Sequence, residues 1–331
     1  MPVIRKHQIF LSILLLCNFG SLSFANAGEK KNVCETKCKI ECLANCMDAC
    51  IKMCEANKKV YDSMSPFEKR TYNERKIRNA PFVLIPYKPN YLLASWDDTL
   101  DEQDEANEPY ETKFQLSFKI PLTAPDREWT LYFGYTQLSV WQMANTAHSS
   151  PFRDNNYEPE VMLYYVPEQA LIGGIKLRLI NFGIFNHQSN GQSGEKSRSW
   201  NRSYIETVFE IDRHYIGLKA WHRWKERQKN GPNDPEGDDN PDIDEFIGHG
   251  EIKYLYAGEE HNFGITVRDN FHYNEHSYGS FQIDYTFPVD LFNKQGLRVY
   301  VQYFNGYGET LIDYNKKRER IGMGVILADW L

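Results

Sequence analysis

The feature that most constrains the fold is a repeated, partial alternation of apolar and polar residues. From Tyr91 onward it occupies runs of roughly ten residues separated by turn-rich or acidic stretches. Such runs are typical of strands that cross a membrane with one face toward lipid and the other toward the lumen of a barrel. A barrel also explains why mean hydropathy is only -0.60 while 14% of the residues are aromatic, because Tyr, Trp and Phe gather in girdles at the membrane interfaces.

Composition excludes several other classes of protein. The chain has 331 residues with 38 Lys and Arg against 45 Asp and Glu, a formal charge of -7. It is too acidic to grip nucleic acid by neutralising phosphates and too apolar and aromatic for a disordered chain. Beyond the N-terminal leader it lacks the repeated apolar runs of about 18 residues that a polytopic helical membrane protein needs.

We therefore predict an all-β fold, a twelve-stranded antiparallel transmembrane β-barrel preceded by a short Cys-rich helical segment. The predicted strands cover 91–97, 112–122, 128–141, 157–167, 174–187, 200–211, 213–224, 245–256, 260–268, 277–287, 296–304 and 320–331. Short turns at 124–127 and 167–173 then lie on one rim, and the longer charged connections at 97–111 and 225–244 lie on the other.

A soluble β-sandwich or a lipocalin-like barrel is the alternative, with apolar residues inside and polar residues outside. The strand 174–187 argues against it. One face carries Ile175, Leu177, Leu179, Asn181, Gly183 and Phe185, and the other carries Lys176 and Arg178. Two charges are too many for a small dry core, so we expect them to line a lumen and to pair with Glu206 and Glu210.

The N-terminus predicts an exported protein. Residues 1–27 resemble a secretory signal peptide, with Arg5 and Lys6 before an apolar stretch and Ala25-Asn26-Ala27 at the cleavage positions. Residues 28–57 form the Cys-rich segment, 58–90 a linker or periplasmic lead-in, and 91–331 the barrel domain.

Six cysteines recur at every fourth residue of the Cys-rich segment. They are Cys34, Cys38, Cys42, Cys46, Cys50 and Cys54. A four-residue step fits a helix and not a strand. In an oxidising compartment disulfide use is the default, within a broken hairpin or with another chain, although neighbours on one straight helix have poor bridging geometry. Metal binding is the less favoured alternative, since the segment has neither CxxC spacing nor His.

The densest cluster of reactive residue types lies between two predicted strands. His187 and Ser189 are two residues apart, so an extended chain places both on one face with Cα atoms about 7 Å apart. Their parity matches Phe185, which predicts that both point outward. A serine hydroxyl needs a base to take its proton and a third group to orient that base; Asn201, across the hairpin, could be that group. The spacing of these residues is also explained by a polar surface loop that has no catalytic role.

Three blocks of sequence resemble the outer membrane phospholipase A family. They are His187–Gly191 with Ser197–Arg202, Tyr135–Gln137 with Ser149–Arg153 and Asn156–Pro159, and Tyr303–Glu309 with Ile312–Asn315. The resemblance extends from about Tyr87 to Leu331. It implies a twelve-stranded outer-membrane barrel that hydrolyses acyl esters of phospholipids and lysophospholipids, a phospholipase A1/A2 activity.

The resemblance also implies roles for individual residues. Ser189 would be the nucleophile, His187 the general base and then acid, Asn201 the residue that orients it, and Gly191 the backbone donor to the oxyanion. Family members bind Ca²⁺ at a dimer interface.

The matching calcium positions are Ser197 through its hydroxyl, Gln192 through its carbonyl, and Ser149 through its carbonyl from the partner copy of a homodimer. Gln192 departs from the Arg of better-known members, but the expected ligand is a main-chain oxygen. The site would lie on the outer wall, facing the outer leaflet, and dimerisation would activate it.

The acidic loop at 234–245 resembles a family loop in which the residue matching Asp239 contributes to a calcium site. It fails the EF-hand pattern, because Ile243 stands where that loop needs Gly and His249 where it needs Glu. Without the resemblance it would be a solvated loop. The alternative function for the whole chain is a catalytically silent structural barrel or pore with an N-terminal interaction module.

Overall fold

The computed structural model describes residues 47–77, 80, 83–100, 107–123, 128–167, 171–231, 234, 237–272, 276–289 and 297–329. The chain divides into two units, Met1–Asp62 and Ser63–Leu331. The predicted signal peptide and four of the six cysteines lie outside the described residues. Helix α1 (Met47–Ser63), of which all but the last residue belongs to the first unit, contains Cys50 and Cys54. None of the helices in the described ranges is long and apolar enough to cross a membrane.

The second unit consists mainly of strands. They are β1 (Ile85–Pro86), β2 (Asn90–Asp97), β3 (Tyr110–Pro121), β4 (Trp129–Trp141), β5 (Phe152–Tyr165), β6 (Leu171–Ile172), β7 (Ile175–Ser189), β8 (Ser199–Ile211), β9 (His214–Trp224), β10 (Gly250–Ala257), β11 (Asn262–Asp269), β12 (Gly279–Pro288), β13 (Arg298–Gly306) and β14 (Arg318–Ala328). Helices α2 (Pro66–Ile77) and α3 (Ile243–Ile247) complete it, with short 3-10 turns at Thr146–His148 and Gly194–Lys196.

The long strands close into an antiparallel barrel. Each pairs with the next along the chain, and β14 returns to β2, where Met323 lies opposite Ala94. The two-residue strands β1 and β6 add to the sides of β3 and β7. Within the described residues the barrel has twelve long strands, so the predicted fold is confirmed.

The polarity of the wall is that of a membrane barrel rather than a soluble one. Large apolar side chains are exposed along the strands, among them Leu92, Leu116, Ile184, Ile205, Ile252, Ile321 and Met323. Charged side chains are buried inside. Arg320, for example, pairs with Asp97, Glu111 and Glu309 at 3.0, 2.7 and 2.9 Å. An ion so deeply buried needs several partners, since desolvation would otherwise be very costly.

Strand β7 contains two irregularities that the sequence does not reveal. Its pairing with β8 shifts register between Leu177 and Leu179 and again between Gly183 and Asn186. Each added residue reverses which side chains face inward. Leu179 and Asn181, predicted to face outward, are buried instead: Leu179 packs with Tyr132 and Met162, and Asn181 bonds to Tyr204 and Glu206. The expected lumen pairing is confirmed for Arg178, whose Nε donates to Glu210 at 2.7 Å. It is wrong for Glu206, which accepts from Asn181 at 3.1 Å instead.

The predicted strand 245–256 is wrong at its start. Residues Ile243–Ile247 form α3, and β10 begins only at Gly250. Ile243 and Ile247 stand one helical turn apart and bury themselves against Trp200 and Trp221. The run is helical because its two apolar residues are four apart and its first turn carries Asp244 and Glu245.

Residues 58–90 contain the end of α1, then α2 and β1. Helix α2 begins at a capping box in which the Ser65 amide donates to Glu68 Oε2 at 2.8 Å and the Glu68 amide donates to Ser65 Oγ at 3.3 Å. Pro66 occupies the first helical position, where its missing N–H removes no hydrogen bond. The helix is tied to the barrel interior, since Glu68 pairs with Arg178 at 2.8 Å and Glu74 with Lys119 at 3.0 Å.

The antiparallel order places the connections β4–β5, β7–β8 and β9–β10 on one rim, which we call the loop rim. Helix α2 contacts the ends of β3 and β7 that lie at the opposite rim. Between them the lumen keeps a cavity of about 350 Å³ that side chains such as Lys113, Arg202 and Glu309 line. The interior is therefore largely filled with charged and polar side chains.

Candidate active site

The predicted reactive residues lie where β7 and β8 meet the loop rim. His187 is directly opposite Asn201, and Ser189 is opposite Ser199. Their neighbour Gln188 lines the inner cavity. Because side chains alternate along a strand, His187 and Ser189 lie on the outer face of the wall. The two bulges of β7 cancel, which is why parity counted from Ile175 at the start of the strand gives the observed face.

A chain of hydrogen bonds leads away from the imidazole. His187 Nδ1 lies 2.8 Å from Asn201 Oδ1, and Asn201 Nδ2 donates to Glu226 Oε1 at 2.6 Å. The Asn201 oxygen can only accept, so Nδ1 of His187 carries the ring proton. Nε2 is left as the basic nitrogen, in the tautomer that a general base requires.

Glu226 is a residue of the candidate site that the sequence analysis missed. It follows β9 by two residues, and its contact with Asn201 depends on the β8–β9 register, in which Asn201 lies opposite Trp224. Burial, and the negative charge of Asp238, raise the pKa of Glu226, while the hydrogen bond from Asn201 opposes that rise. Glu226 lies in a run of polar residues of mixed charge, and nothing in that run distinguishes it from its neighbours as a functional residue.

Ser189 and Gly191 form the second part of the site. The Gly191 amide donates to Ser189 Oγ at 3.1 Å. Gly191 has φ of 66°, and a Cβ there would lie 3.1 Å from Cε2 of Tyr157, so glycine suits both the backbone and the space. Among the hydrogen bonds of the described residues, none joins Ser189 Oγ to His187. Such contacts are commonly long without substrate.

Asn190 holds the 190–198 loop together from a buried position. Its backbone N–H donates to the Arg198 carbonyl at 2.9 Å, its Nδ2 to the Lys196 carbonyl at 2.8 Å, and its Oδ1 accepts from the Arg198 amide at 3.0 Å. These bonds fix the turn that carries Gly191. The sequence signal was available, because Asn before Gly is typical of a tight turn.

Two of the predicted calcium ligands lie together. Ser197 Oγ donates to Asp239 Oδ2 at 2.6 Å, and the other Asp239 oxygen pairs with Lys229. The acidic loop is fixed beside them, since Asn240 Oδ1 accepts from the Ser199 amide at 3.0 Å. Hydroxyl and carboxylate oxygens are the ligands that Ca²⁺ prefers. No group of three or more His, Cys, Asp or Glu side chains in the described ranges is placed to hold a metal ion.

The other two predicted ligands are Gln192, in the 190–198 loop, and Ser149, in the β4–β5 connection. Gln192 follows Gly191, and the backbone N–H of Gln192 donates to Asn190 Oδ1 at 3.3 Å. Ser149 ends the 3-10 turn of the β4–β5 connection with φ of 60°. No hydrogen bond between described residues joins Ser149 to the 190–198 loop.

Comparison with known proteins gives a consistent result. A family model for phospholipase A1 matches residues 67–327. The phospholipase A1 of Salmonella typhimurium is 34% identical over 286 residues, covering 82% of this chain and 91% of the relative. The structure of outer membrane phospholipase A from Escherichia coli superposes with a TM-score of 0.69 at 33% identity, covering 79% of this chain and 98% of that one. A dimer of the Salmonella typhi outer membrane phospholipase with bound calcium matches with a TM-score of 0.66 at 34% identity. The match covers 76% of this chain and 95% of that one.

Proposed function

The chain belongs to the phospholipase A1 family and is an outer-membrane barrel enzyme that hydrolyses acyl esters, and from this premise we propose that Ser189, His187 and Asn201 are its catalytic triad. The observation that carries the proposal is the 2.8 Å contact between His187 Nδ1 and Asn201 Oδ1 on the face that also bears Ser189. Phospholipids and lysophospholipids are the proposed substrates.

The first half of the reaction forms an acyl-enzyme. Ser189 Oγ attacks the ester carbonyl while His187 Nε2 takes the hydroxyl proton. His187 then gives that proton to the leaving lysophospholipid oxygen. Asn201 keeps the ring in the required tautomer through Nδ1. In the second half a water molecule gives a proton to His187 and attacks the acyl-enzyme carbonyl. The bond to Ser189 Oγ then breaks, His187 returns the proton to that oxygen, and the fatty acid is released.

The developing oxyanion needs a donor near Ser189. The Gly191 N–H already points at Ser189 Oγ from 3.1 Å. It is therefore close to the position that a carbonyl oxygen would occupy once its carbon is bonded to Oγ. A fixed backbone donor of this kind is commonly worth about 3 kcal/mol of transition-state stabilisation.

The outer position of the triad suits a substrate that arrives from the membrane. Exposed apolar side chains such as Ile184, Phe185 and Ile205 surround the site on the same wall. Acyl chains could lie along this wall while the ester reaches Ser189 at the loop rim. We propose that the site faces the outer leaflet.

We propose calcium as the cofactor, held by Ser197, Asp239 and the Gln192 carbonyl, with the Ser149 carbonyl supplied by a second copy of the chain in a homodimer. The 2.6 Å contact between Ser197 Oγ and Asp239 Oδ2 supports this proposal, because it brings together a hydroxyl and a carboxylate oxygen, which are ligands that Ca²⁺ prefers. Bound calcium would supply positive charge beside the developing oxyanion. Dimerisation would then complete the ligand set and switch the enzyme on.

The test is phospholipid hydrolysis by the folded protein in mixed micelles, with and without a calcium chelator. Ser189→Ala is expected to abolish hydrolysis. Ser193→Ala is the matched control, because Ser193 lies exposed in the same loop and its side chain makes no capping hydrogen bond. Unchanged hydrolysis by Ser189→Ala would overturn the triad. Hydrolysis indifferent to chelator would overturn the calcium proposal and leave the triad standing.

A further inference from the structure

Glu226 lies behind the residue that orients the proposed base. Its carboxylate accepts from Asn201 Nδ2 at 2.6 Å, while Asn201 Oδ1 is 2.8 Å from His187 Nδ1. The three side chains come from β8, β7 and the loop after β9, so the contact is not a consequence of sequence proximity. They form a continuous hydrogen-bonded line that ends in a carboxylate.

An ionised carboxylate can only accept hydrogen bonds, and this fixes the Asn201 amide. An amide has a donor end and an acceptor end of nearly the same shape, and either could face the imidazole. With Glu226 on one side, the NH₂ group must face Glu226 and the oxygen must face His187. Without it, rotation of the amide by 180° would present a donor to the protonated Nδ1.

Glu226 also supplies the charge that Asn201 lacks. When Ser189 loses its proton the imidazole becomes a cation, and an Asn partner cannot offset that charge. The groups that face Glu226 are Asp238 from the acidic loop, Arg223 from β9 and His187 from β7. Arg223 is already engaged by Asp238 through two bonds of 2.8 and 2.7 Å, which leaves the Glu226 charge available to the imidazolium through Asn201.

We propose that Glu226 is a positioning residue, which fixes the Asn201 amide and places a negative charge behind the His187 imidazolium during acylation. This rests on the proposed triad. The site is then a line of four residues, Ser189, His187, Asn201 and Glu226, in which the carboxylate acts through an amide.

The test compares Glu226→Gln and Glu226→Ala in kcat, KM and the pH dependence of kcat. Gln can rotate its amide to keep accepting from Asn201 but has no charge. We expect it to lower kcat several-fold, leave KM unchanged and move the acid limb to lower pH, because the imidazolium loses a stabilising anion. The Glu226→Ala variant also leaves the Asn201 amide free to rotate. We expect it to lower kcat by about tenfold or more, because one hydrogen bond to a charged group is lost.

Glu195→Gln is the matched control, since it removes one carboxylate from an exposed position in the neighbouring loop. It is expected to leave kcat and the pH profile unchanged. If Glu226→Gln gives the wild-type profile, or if Glu195→Gln shifts it equally, the charge role is overturned. If Glu226→Ala keeps wild-type kcat, the positioning role is overturned as well. Ser189→Ala, assayed alongside, separates these results from a failure of the triad itself.

Discussion

Nδ1 of His187 and Oδ1 of Asn201 lie 2.8 Å apart across the β7–β8 pair, where the two residues are directly opposite in register. The strand pairing itself therefore sets the distance between the proposed base and the residue that orients it. A loop would hold the same two side chains less firmly.

Asn201→Ala is expected to lower kcat by about tenfold, because it removes one hydrogen bond that is made to a charged group in the transition state. Asn201→Asp should not restore the activity of a Ser-His-Asp enzyme. Its carboxylate would lie in hydrogen-bond reach of Glu226, and two such carboxylates do not both ionise readily. Steady-state kinetics of both variants between about pH 6 and 10 measures these effects. Full activity of Asn201→Asp at neutral pH would contradict the assignment.

Gly191→Ala should reduce activity more than its backbone strain alone explains. The φ of 66° costs a non-glycine residue about 1 kcal/mol, and the added Cβ would also meet Tyr157 at 3.1 Å, which displaces the N–H from Ser189. Gly194→Ala is the control, because φ there is 67° and a Cβ would meet nothing within 4 Å. Both variants should lose thermal stability, but only Gly191→Ala should lose most of its kcat. Equal kcat values would refute the oxyanion role.

Lys229→Gln is expected to strengthen calcium binding, since the Lys229 ammonium pairs with an oxygen of Asp239 that the ion would need. Asp239→Asn should weaken binding. Arg227→Gln removes the same charge from the same loop but breaks a pair with Asp234 instead, so it should change affinity little. Titration calorimetry of the detergent-solubilised protein measures all three. Unchanged affinity in Lys229→Gln would mean that the pair does not compete with calcium.

Acid should weaken the barrel through Glu309. Burial alone disfavours the charged form, but the charges of Arg320 and Lys113 outweigh it and lower the pKa of Glu309 from 4.5 to about 2. A carboxyl whose folded pKa is depressed stabilises the folded state above its unfolded pKa. That stability is lost as the pH falls from about 4.5 toward 2.

Denaturant unfolding of the Glu309→Gln variant should lose this part of the pH dependence. Glu319→Gln, at an exposed position on β14, is the control and should keep it. An identical slope in wild type and Glu309→Gln would show that Glu309 does not contribute.

Much of the barrel was predictable because one face of each strand must be apolar and the other polar. Leu179 is predicted to face outward but faces inward, because a β-bulge reverses the alternation of side chains and cannot be recognised from residue composition. Residues 245–247 are predicted as strand but belong to the helix Ile243–Ile247, because five residues are too few to separate the two periodicities. The contact between Glu226 and Asn201 depends on register and loop path together, and neither can be read from the sequence near Glu226.

The central claim is that Ser189 is the nucleophile, and covalent labelling tests it most directly. The folded protein is treated with a long-chain alkylsulfonyl fluoride in the presence of calcium, digested, and mapped by mass spectrometry. The account predicts one adduct, on the peptide that contains Ser189, that disappears in Ser189→Ala and persists in Ser193→Ala. An adduct on another residue, or labelling that survives in Ser189→Ala, would contradict it.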